Sequence, residues 1–209
     1  IQVPPPAGQT LNQRQHMGTT LLWPAGELTV GLVSTQSDSA IQMTGSMVIM
    51  GVAGCGKSSL GAALAQTLGL ALLEGDDRHS AASREKMRQG IALTDADRAG
   101  WLDELAAELR ARPQGLVLTC SALRRAYRES LRRAAPGLRF VFLDITREEA
   151  LARVAARPSH FFSASLVDSQ FATLEPPVGE AGVLRLDASL PLTRLQADAT
   201  AWLLTQEAA

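Results

Sequence analysis

The chain has 209 residues, and 46% of them are hydrophobic, which suits one α/β domain with a substantial core and excludes disorder throughout. The 20 lysine and arginine residues nearly balance the 21 acidic ones, so no electrostatic argument favours nucleic acid or an anionic membrane as a partner. Only two cysteines, no apolar run of about 18 residues and no basic leader indicate a protein of the reducing cytoplasm.

The first 46 residues differ in character from the rest of the chain. They contain a single arginine, no lysine, three consecutive prolines and many Gln, Ser and Thr residues. The apolar run at 28–33 fits a short strand, but no neighbouring segment offers it a partner. We therefore predict a leader or extension outside the core at 1–46 and the domain at 47–209. The alternative is an extra β element that packs on the domain.

From residue 47 onward, short apolar runs alternate with segments of helical periodicity. Strands are predicted at 47–50, 70–73, 116–120, 138–143 and 183–186. Helices are predicted at 57–68, 81–89, 95–112, 122–134 and 147–156. A loop and a helix are predicted to run from there to 174, and a last helix is predicted at 192–204. Strands that alternate with helices of this length are typical of βαβ units. The sequence thus predicts one α/β domain with a five-stranded parallel sheet covered by helices on both faces.

The turn after the first predicted strand matches the phosphate-binding pattern G-x-x-x-x-G-K-[ST] at every fixed position. Its residues are Gly51, Val52, Ala53, Gly54, Cys55, Gly56, Lys57 and Ser58. Glycines let the backbone turn its N–H groups toward a phosphate chain, and the following helix adds the positive end of its dipole. Lys57 is predicted to reach the β- and γ-phosphates of ATP and Ser58 to ligate Mg²⁺. Ser59 is predicted to hold the α-phosphate or to cap the helix.

Two acids follow the second predicted strand, at the edge where ligands collect in open α/β sheets. Asp76 is predicted to bind an acceptor hydroxyl and to accept its proton, and Glu74 to support Mg²⁺ through water. A pair of solvated loop acids is the competing interpretation. His79 is predicted either to hydrogen-bond the substrate or to cap the helix that follows.

Several further blocks resemble the gluconate kinase family. They are EGDDRH at 74–79, EKMRQGIALTDADR at 85–98, CSALRRAYR at 120–128, and HFF…L…SQF…LEP at 160–176. The resemblance covers the chain from about residue 47 onward, with the blocks in the family's order. It implies ATP-dependent phosphorylation of D-gluconate to 6-phospho-D-gluconate, by a P-loop kinase domain with a mobile lid on a fold similar to shikimate kinases. It also suggests a homodimer.

The resemblance also points to ligands of the acceptor. Lys86 and Arg98 are candidates for the gluconate carboxylate, since arginine suits its bidentate capture. The competing interpretation is a pair of exposed helical charges. Arg128 is a further candidate for a substrate contact, and His160 and Gln170 are expected to shape the substrate side of the lid.

Two arginines are candidates for closing over the nucleotide. Arg153 and Arg157 lie four residues apart on one face of a predicted helix. In lid-bearing kinases such arginines cover the triphosphate and stabilise the transferring group. A solvated basic face is the competing interpretation. Asp144, at the end of the fourth predicted strand, is expected to cap the next helix rather than to bind metal.

Two other functions stay open on the sequence. A shikimate-like kinase of another small acid or sugar shares the expected fold, although the blocks around residues 86–98 and 160–170 disfavour it. A nucleotide-binding protein without kinase activity is supported only by departures from the family pattern. The family has proline where Ser80, Ala92, Gly100 and Ser163 stand, and asparagine where Ser83 stands. Lost prolines make loops more flexible, which affects substrate positioning more than the fold.

Overall fold

Five parallel strands form the central sheet of the part of the chain that this computed structural model describes, residues 45–156 and 164–207. They are β1 (Met47–Met50), β2 (Ala71–Glu74), β3 (Leu116–Thr119), β4 (Arg139–Asp144) and β5 (Val183–Asp187). The strands lie in the order β2-β3-β1-β4-β5, and every pairing is parallel. Their carboxyl ends therefore meet at one edge of the sheet, where α/β proteins bind ligands.

The described helices follow the predicted alternation. They are α1 (Lys57–Leu68), α2 (Ala81–Arg88), α3 (Asp95–Arg110), α4 (Arg125–Ala134), α5 (Arg147–Ala155), α6 (Ala164–Thr173) and α7 (Leu192–Glu207). A 3₁₀ turn covers Gly75–Arg78. Two helix boundaries differ most from the prediction. The α4 helix begins at Arg125 instead of residue 122, because Ala122 has a φ of 43° that a right-handed helix excludes, and α7 ends at Glu207 instead of residue 204. None of these helices is long and apolar enough to cross a membrane.

Side chains of the central strand alternate between two hydrophobic layers. Met47 and Ile49 join the layer that contains residues of α1 and α7, whereas Val48 and Met50 join the layer that contains residues of α3 and α4. Successive strand residues point to opposite faces of a sheet, so both faces must be covered. The predicted parallel sheet with helices on both faces is confirmed.

The α5 helix is capped differently from the prediction. Thr146 is its N-cap, and its Oγ1 accepts a hydrogen bond from the Glu149 N–H at 3.3 Å. Asp144 instead forms an ion pair with Arg185 of the neighbouring strand β5. The cap prediction for Asp144 was wrong because this acid is still part of β4, where its side chain meets the adjacent strand.

The described chain begins at the end of the predicted leader. Ser46 Oγ accepts a hydrogen bond from the Leu116 N–H at 3.2 Å, and the Gly45 N–H donates to Gln114 O at 3.4 Å. Gly45 and Ser46, the last two residues of the predicted leader, thus contact the domain. Residues 1–44 lie outside the described part of the chain, so the leader remains a prediction.

Candidate active site

The loop between β1 and α1 has the strand–loop–helix setting that the phosphate-binding pattern requires. Gly51 and Gly54 have φ values of +139° and +85°, which favour glycine. A Cβ on Gly51 would lie 2.7 Å from Leu143 O, and one on Gly54 would lie 2.8 Å from Ala150 O. Both positions therefore require glycine, and the helix that starts at Lys57 directs its unpaired N–H groups toward the loop.

Hard oxygen donors lie beside the start of α1. Ser58 Oγ donates a hydrogen bond to Glu74 Oε2 at 3.1 Å, and Thr119 Oγ1 donates to the same carboxylate oxygen. A hydroxyl and a carboxylate are donors that Mg²⁺ accepts, usually with substrate phosphates completing its coordination. No group of three or more His, Cys, Asp and Glu side chains within 45–156 and 164–207 could hold a metal. The pair thus fits a phosphate-bridged Mg²⁺ better than a dedicated protein cage.

A stacked pair of rings supports the turn that carries Asp76. Trp101 Nε1 donates a hydrogen bond to Gly75 O at 2.7 Å, and the His79 ring stacks on Trp101 with centroids 4.3 Å apart. His79 Nε2 lies 4.0 Å from Asp76 Oδ1. Burial lowers the pKa of His79 below its ordinary value, against the opposing effect of Asp76, so the imidazole is neutral at pH 7. The Asp76 side chain itself is 64% exposed and open to a ligand.

One pocket joins the phosphate loop to this turn. Lys57 and Arg98 line it as cations, and Glu74 and Asp76 line it as acids. Arg98 is oriented by the hydrogen bond that its Nη1 donates to Leu93 O at 2.6 Å. The pocket therefore combines a phosphate cradle, an accessible carboxylate and a fixed guanidinium, which are the parts that phosphoryl transfer to an anionic acceptor needs.

Comparison with known proteins decides the family. A family model described as "AAA domain" matches residues 47–177. The gluconokinase of Gluconobacter oxydans is 46% identical over 144 residues, which cover 67% of this chain and 80% of that protein. The crystal structure of a gluconokinase from Sinorhizobium meliloti is 42% identical, has a TM-score of 0.73, and covers 78% of this chain and 94% of that one. This chain belongs to the gluconokinase family. A further relative supports the same family assignment. It is the "Probable gluconokinase" of Schizosaccharomyces pombe, which is 42% identical over 64% of this chain and 74% of its own length.

Most residues predicted for a gluconokinase site lie around this one pocket. Its lining includes these predicted residues: Ala53, Gly54, Gly56, Lys57, Ser58, Glu74, Asp76, His79, Arg98 and Gln170. Val52 and Cys55 belong to the buried core, so only their backbone can face a nucleotide. Ser59 is exposed and is not part of the lining. The ligand roles of all these residues remain predictions.

The prediction that Arg128 contacts the substrate is corrected by the structure. Its side chain is 1% exposed, and its Nε donates to both carboxylate oxygens of Glu180 at 3.1 and 3.0 Å. The Nη1 donates to Ala122 O and Leu123 O, and the Nη2 donates to Glu175 O. Arg128 thus connects the chain segment after β3 to the loop before β5. It is not part of the pocket lining.

Replacing Glu180 with glutamine is expected to lower the free energy of unfolding by about 3–5 kcal/mol, because it leaves the buried Arg128 charge unpaired. Arg128 holds the pKa of Glu180 below its ordinary 4.5. A lowered folded-state pKa stabilises the protein above pH 4.5, and this stabilisation is lost as the pH falls through the folded pKa. Urea unfolding from pH 7 to pH 3 should show a steeper acid loss in wild type than in Glu180→Gln.

The control for this prediction is the exposed pair of α7. Asp198 accepts from Arg194 at 2.8 Å, with side chains 34% and 68% exposed, so Asp198→Asn is expected to cost no more than about 0.5 kcal/mol. Equal losses for Glu180→Gln and Asp198→Asn would show that the buried pair has no special structural role.

Two other predicted cations lie outside the pocket lining. Lys86 forms an ion pair with Asp97 at 2.7 Å, which links α2 to α3. The Arg153 Nη2 donates to Ala188 O at 2.9 Å, just after β5. The predictions for Arg157 and His160 fall in 157–163, outside the described residues.

Sequence reasoning missed part of the pocket. Ser121 lines it directly after β3, as Asp76 does after β2, and the strand-end rule that found Asp76 also applies to Ser121. Trp101 is a core residue at 4% exposure, yet it also lines the pocket. Met87 and Leu166 lie within the family-like blocks, but apolar residues of this kind occur in any amphipathic helix and do not by themselves indicate a ligand.

The departures from the family pattern near His79 build a helix cap. Ser80 is the N-cap of α2, and its Oγ accepts from the Ser83 N–H and donates to Ser83 Oγ, both at 3.0 Å. The start of α2 is therefore fixed without the family's proline. Ala92 lines the pocket and Gly100 is exposed, while Ser163 lies outside the described residues.

Proposed function

We propose that this protein phosphorylates D-gluconate to 6-phospho-D-gluconate with ATP as the donor. The observation that carries the proposal is the shared pocket of the phosphate loop, Asp76 and Arg98 in a chain of the gluconokinase family. A gluconokinase must hold a triphosphate, a hydroxyl and a carboxylate at the same time, and the pocket supplies a group for each.

The nucleotide phosphates bind at the loop and at the start of α1. The Lys57 Nζ donates to Val52 O at 3.0 Å, so its ammonium group already lies across the loop. Backbone N–H groups, the helix dipole and this ammonium group neutralise the β- and γ-phosphates as charge develops on them. Ser58 and Glu74 would hold Mg²⁺, which would neutralise charge on the transferring phosphate when bound.

The acceptor hydroxyl binds at Asp76. Its oxygen attacks the γ-phosphorus, the bond between that phosphorus and the bridging oxygen of ADP breaks, and the hydroxyl proton passes to the Asp76 carboxylate. The neutral His79 has its Nε2 4.0 Å from Asp76 Oδ1, too far for a hydrogen bond, so it lies beside this carboxylate without removing its charge. Most of the rate acceleration then comes from alignment and charge neutralisation.

The carboxylate of gluconate binds at Arg98. One guanidinium nitrogen is used by Leu93 O, which fixes the plane and leaves the other donors for a carboxylate. The guanidinium carbon also lies 5.9 Å from the centroid of the Tyr127 ring, a second contact that restricts it. Arg98 is preferred over Lys86 because Lys86 is paired with Asp97 outside the pocket lining.

Replacing Arg98 with methionine is expected to raise the KM for gluconate at least about ten-fold, since hydrogen bonds to charged groups contribute about 1.5–3 kcal/mol. The KM for ATP should change little. Lys86→Met removes a positive charge from the neighbouring helix and is expected to change the gluconate KM less than about five-fold. Steady-state kinetics on both variants test this, and a larger effect for Lys86→Met would move the carboxylate site to α2.

The proposed function is tested with an acceptor panel. ADP formation is measured with Mg-ATP and either D-gluconate, shikimate or no acceptor. Turnover that requires gluconate supports the proposal, turnover that requires shikimate replaces it with the shikimate-like alternative, and ATP binding without acceptor-dependent turnover indicates a nucleotide-binding protein.

We further propose that Arg153 and Arg157 close over the triphosphate and that His160 contacts the acceptor, as the family resemblance implies. A homodimer and a cytoplasmic location belong to the same proposal.

A further inference from the structure

The phosphate loop is held from outside at two backbone positions. The Gly51 N–H donates to Ser121 O at 3.3 Å, on the side of β3. The Ala53 N–H donates to Gln170 Oε1 at 2.6 Å, on the side of α6. These contacts fix the loop's first and third residues, ahead of the N–H groups at the start of α1 that would receive a phosphate.

The orientation of the Gln170 carboxamide follows from this contact. A backbone N–H can only donate, so the oxygen of the carboxamide must face Ala53 and the NH₂ group must lie on the other branch. The acceptor atom of Gln170 is thus already used by the protein itself. The NH₂ group lies on a side chain that lines the pocket.

The helix that carries Gln170 is firmly packed. Leu166, one turn earlier on the same face, and Val167 are 4% and 0% exposed. The ion pair of Arg147 with Asp168, at 2.8 Å, is about half exposed and adds little to this packing. Because α6 is anchored in the core, a side chain at position 170 has a defined position from which to hold the loop.

We propose that Gln170 is a positioning residue for the nucleotide: it holds Ala53 so that the phosphate loop is preformed for ATP, and it is not primarily a ligand of the acceptor. This assignment rests on the proposed function only in taking ATP as the nucleotide. It replaces the role on the substrate side that the family resemblance implies for Gln170.

The test uses Gln170→Leu, which keeps the size of the side chain and removes the acceptor. Loss of one neutral hydrogen bond is expected to weaken ATP binding about three- to ten-fold in calorimetry without acceptor, and to raise the KM for ATP similarly. The KM for gluconate and the melting temperature should stay close to wild type. Asp168→Asn, on the exposed part of α6, is the matched control and should leave ATP binding within about two-fold.

A second readout tests the contact itself. The Ala53 amide should exchange its hydrogen faster in Gln170→Leu than in wild type, measured by NMR on the full chain without nucleotide. Unchanged or tighter ATP binding, or a raised gluconate KM with unchanged ATP binding, would overturn the proposal. Calorimetry needs no acceptor, so this test stands even if gluconate is not the acceptor.

Discussion

Replacing Asp76 with asparagine is expected to lower kcat by about 10²- to 10⁴-fold, the usual contribution of a positioned general base. Asparagine keeps the size and the hydrogen bond to the acceptor hydroxyl but cannot take its proton. ATP binding should change little, because Asp76 lies on the turn after β2 and not on the phosphate loop. Steady-state kinetics with calorimetric ATP binding separate the two effects.

The chain offers a close control for this variant. Asp77 is the next residue of the same 3₁₀ turn and is also exposed, but it is not part of the pocket lining. Asp77→Asn removes the same charge and is expected to lower kcat less than about three-fold, as for a screened surface charge. Similar kcat values for Asp76→Asn and Asp77→Asn would exclude Asp76 as the base.

Lys57→Ala is expected to lower kcat by about 10²- to 10³-fold, which is typical for the loss of one donor that stabilises charge in the transition state. The variant should fold normally, since the Lys57 side chain is only partly buried and its hydrogen bond to Val52 O lies within the same loop. Kinetics at saturating ATP, with circular dichroism to confirm folding, provide the measurement.

Lys86→Ala is the control for the Lys57 variant. Lys57 and Lys86 are the two lysines of the chain, so both substitutions remove the same group. The loss at position 86 breaks an ion pair whose Lys86 side chain is 41% exposed, and it is expected to cost little activity because the pair lies outside the pocket lining. Turnover of Lys57→Ala within ten-fold of wild type would show that this lysine does not stabilise the transferring phosphate.

The fold was predictable because its signals are local. Apolar runs indicate β1 to β5, and helical periodicity indicates the helices. The α1 helix ends at the glycine at position 69, where its periodic pattern of apolar residues also ends. The glycines at 51 and 54 are explained by backbone φ values and close contacts that no other residue tolerates. The errors in helix and strand positions lie at boundaries, such as the start of α4, where Ala122 has a φ of 43°.

The pocket was less predictable because its side chains depend on distant partners. Arg128 and Lys86 are cations in family-like blocks of the sequence. The fold brings Glu180 to Arg128 across 52 positions of the chain. It brings Asp97 to Lys86 across 11 positions. Gln170 was expected on the acceptor side, but it reaches Ala53 across 117 positions. A sequence pattern identifies the chemical type of a residue, whereas its partner depends on how the helices pack.

Transfer of the γ-phosphoryl group from ATP to gluconate at this pocket is the reaction that a labelling experiment tests most directly. Wild type and Lys57→Ala are incubated with [γ-³²P]ATP, Mg²⁺ and D-gluconate, and the labelled products are separated. We expect the label in 6-phospho-D-gluconate with wild type and about 10²- to 10³-fold slower labelling with Lys57→Ala. Label found only in inorganic phosphate, or equal labelling by the two proteins, would contradict the proposed reaction or its site.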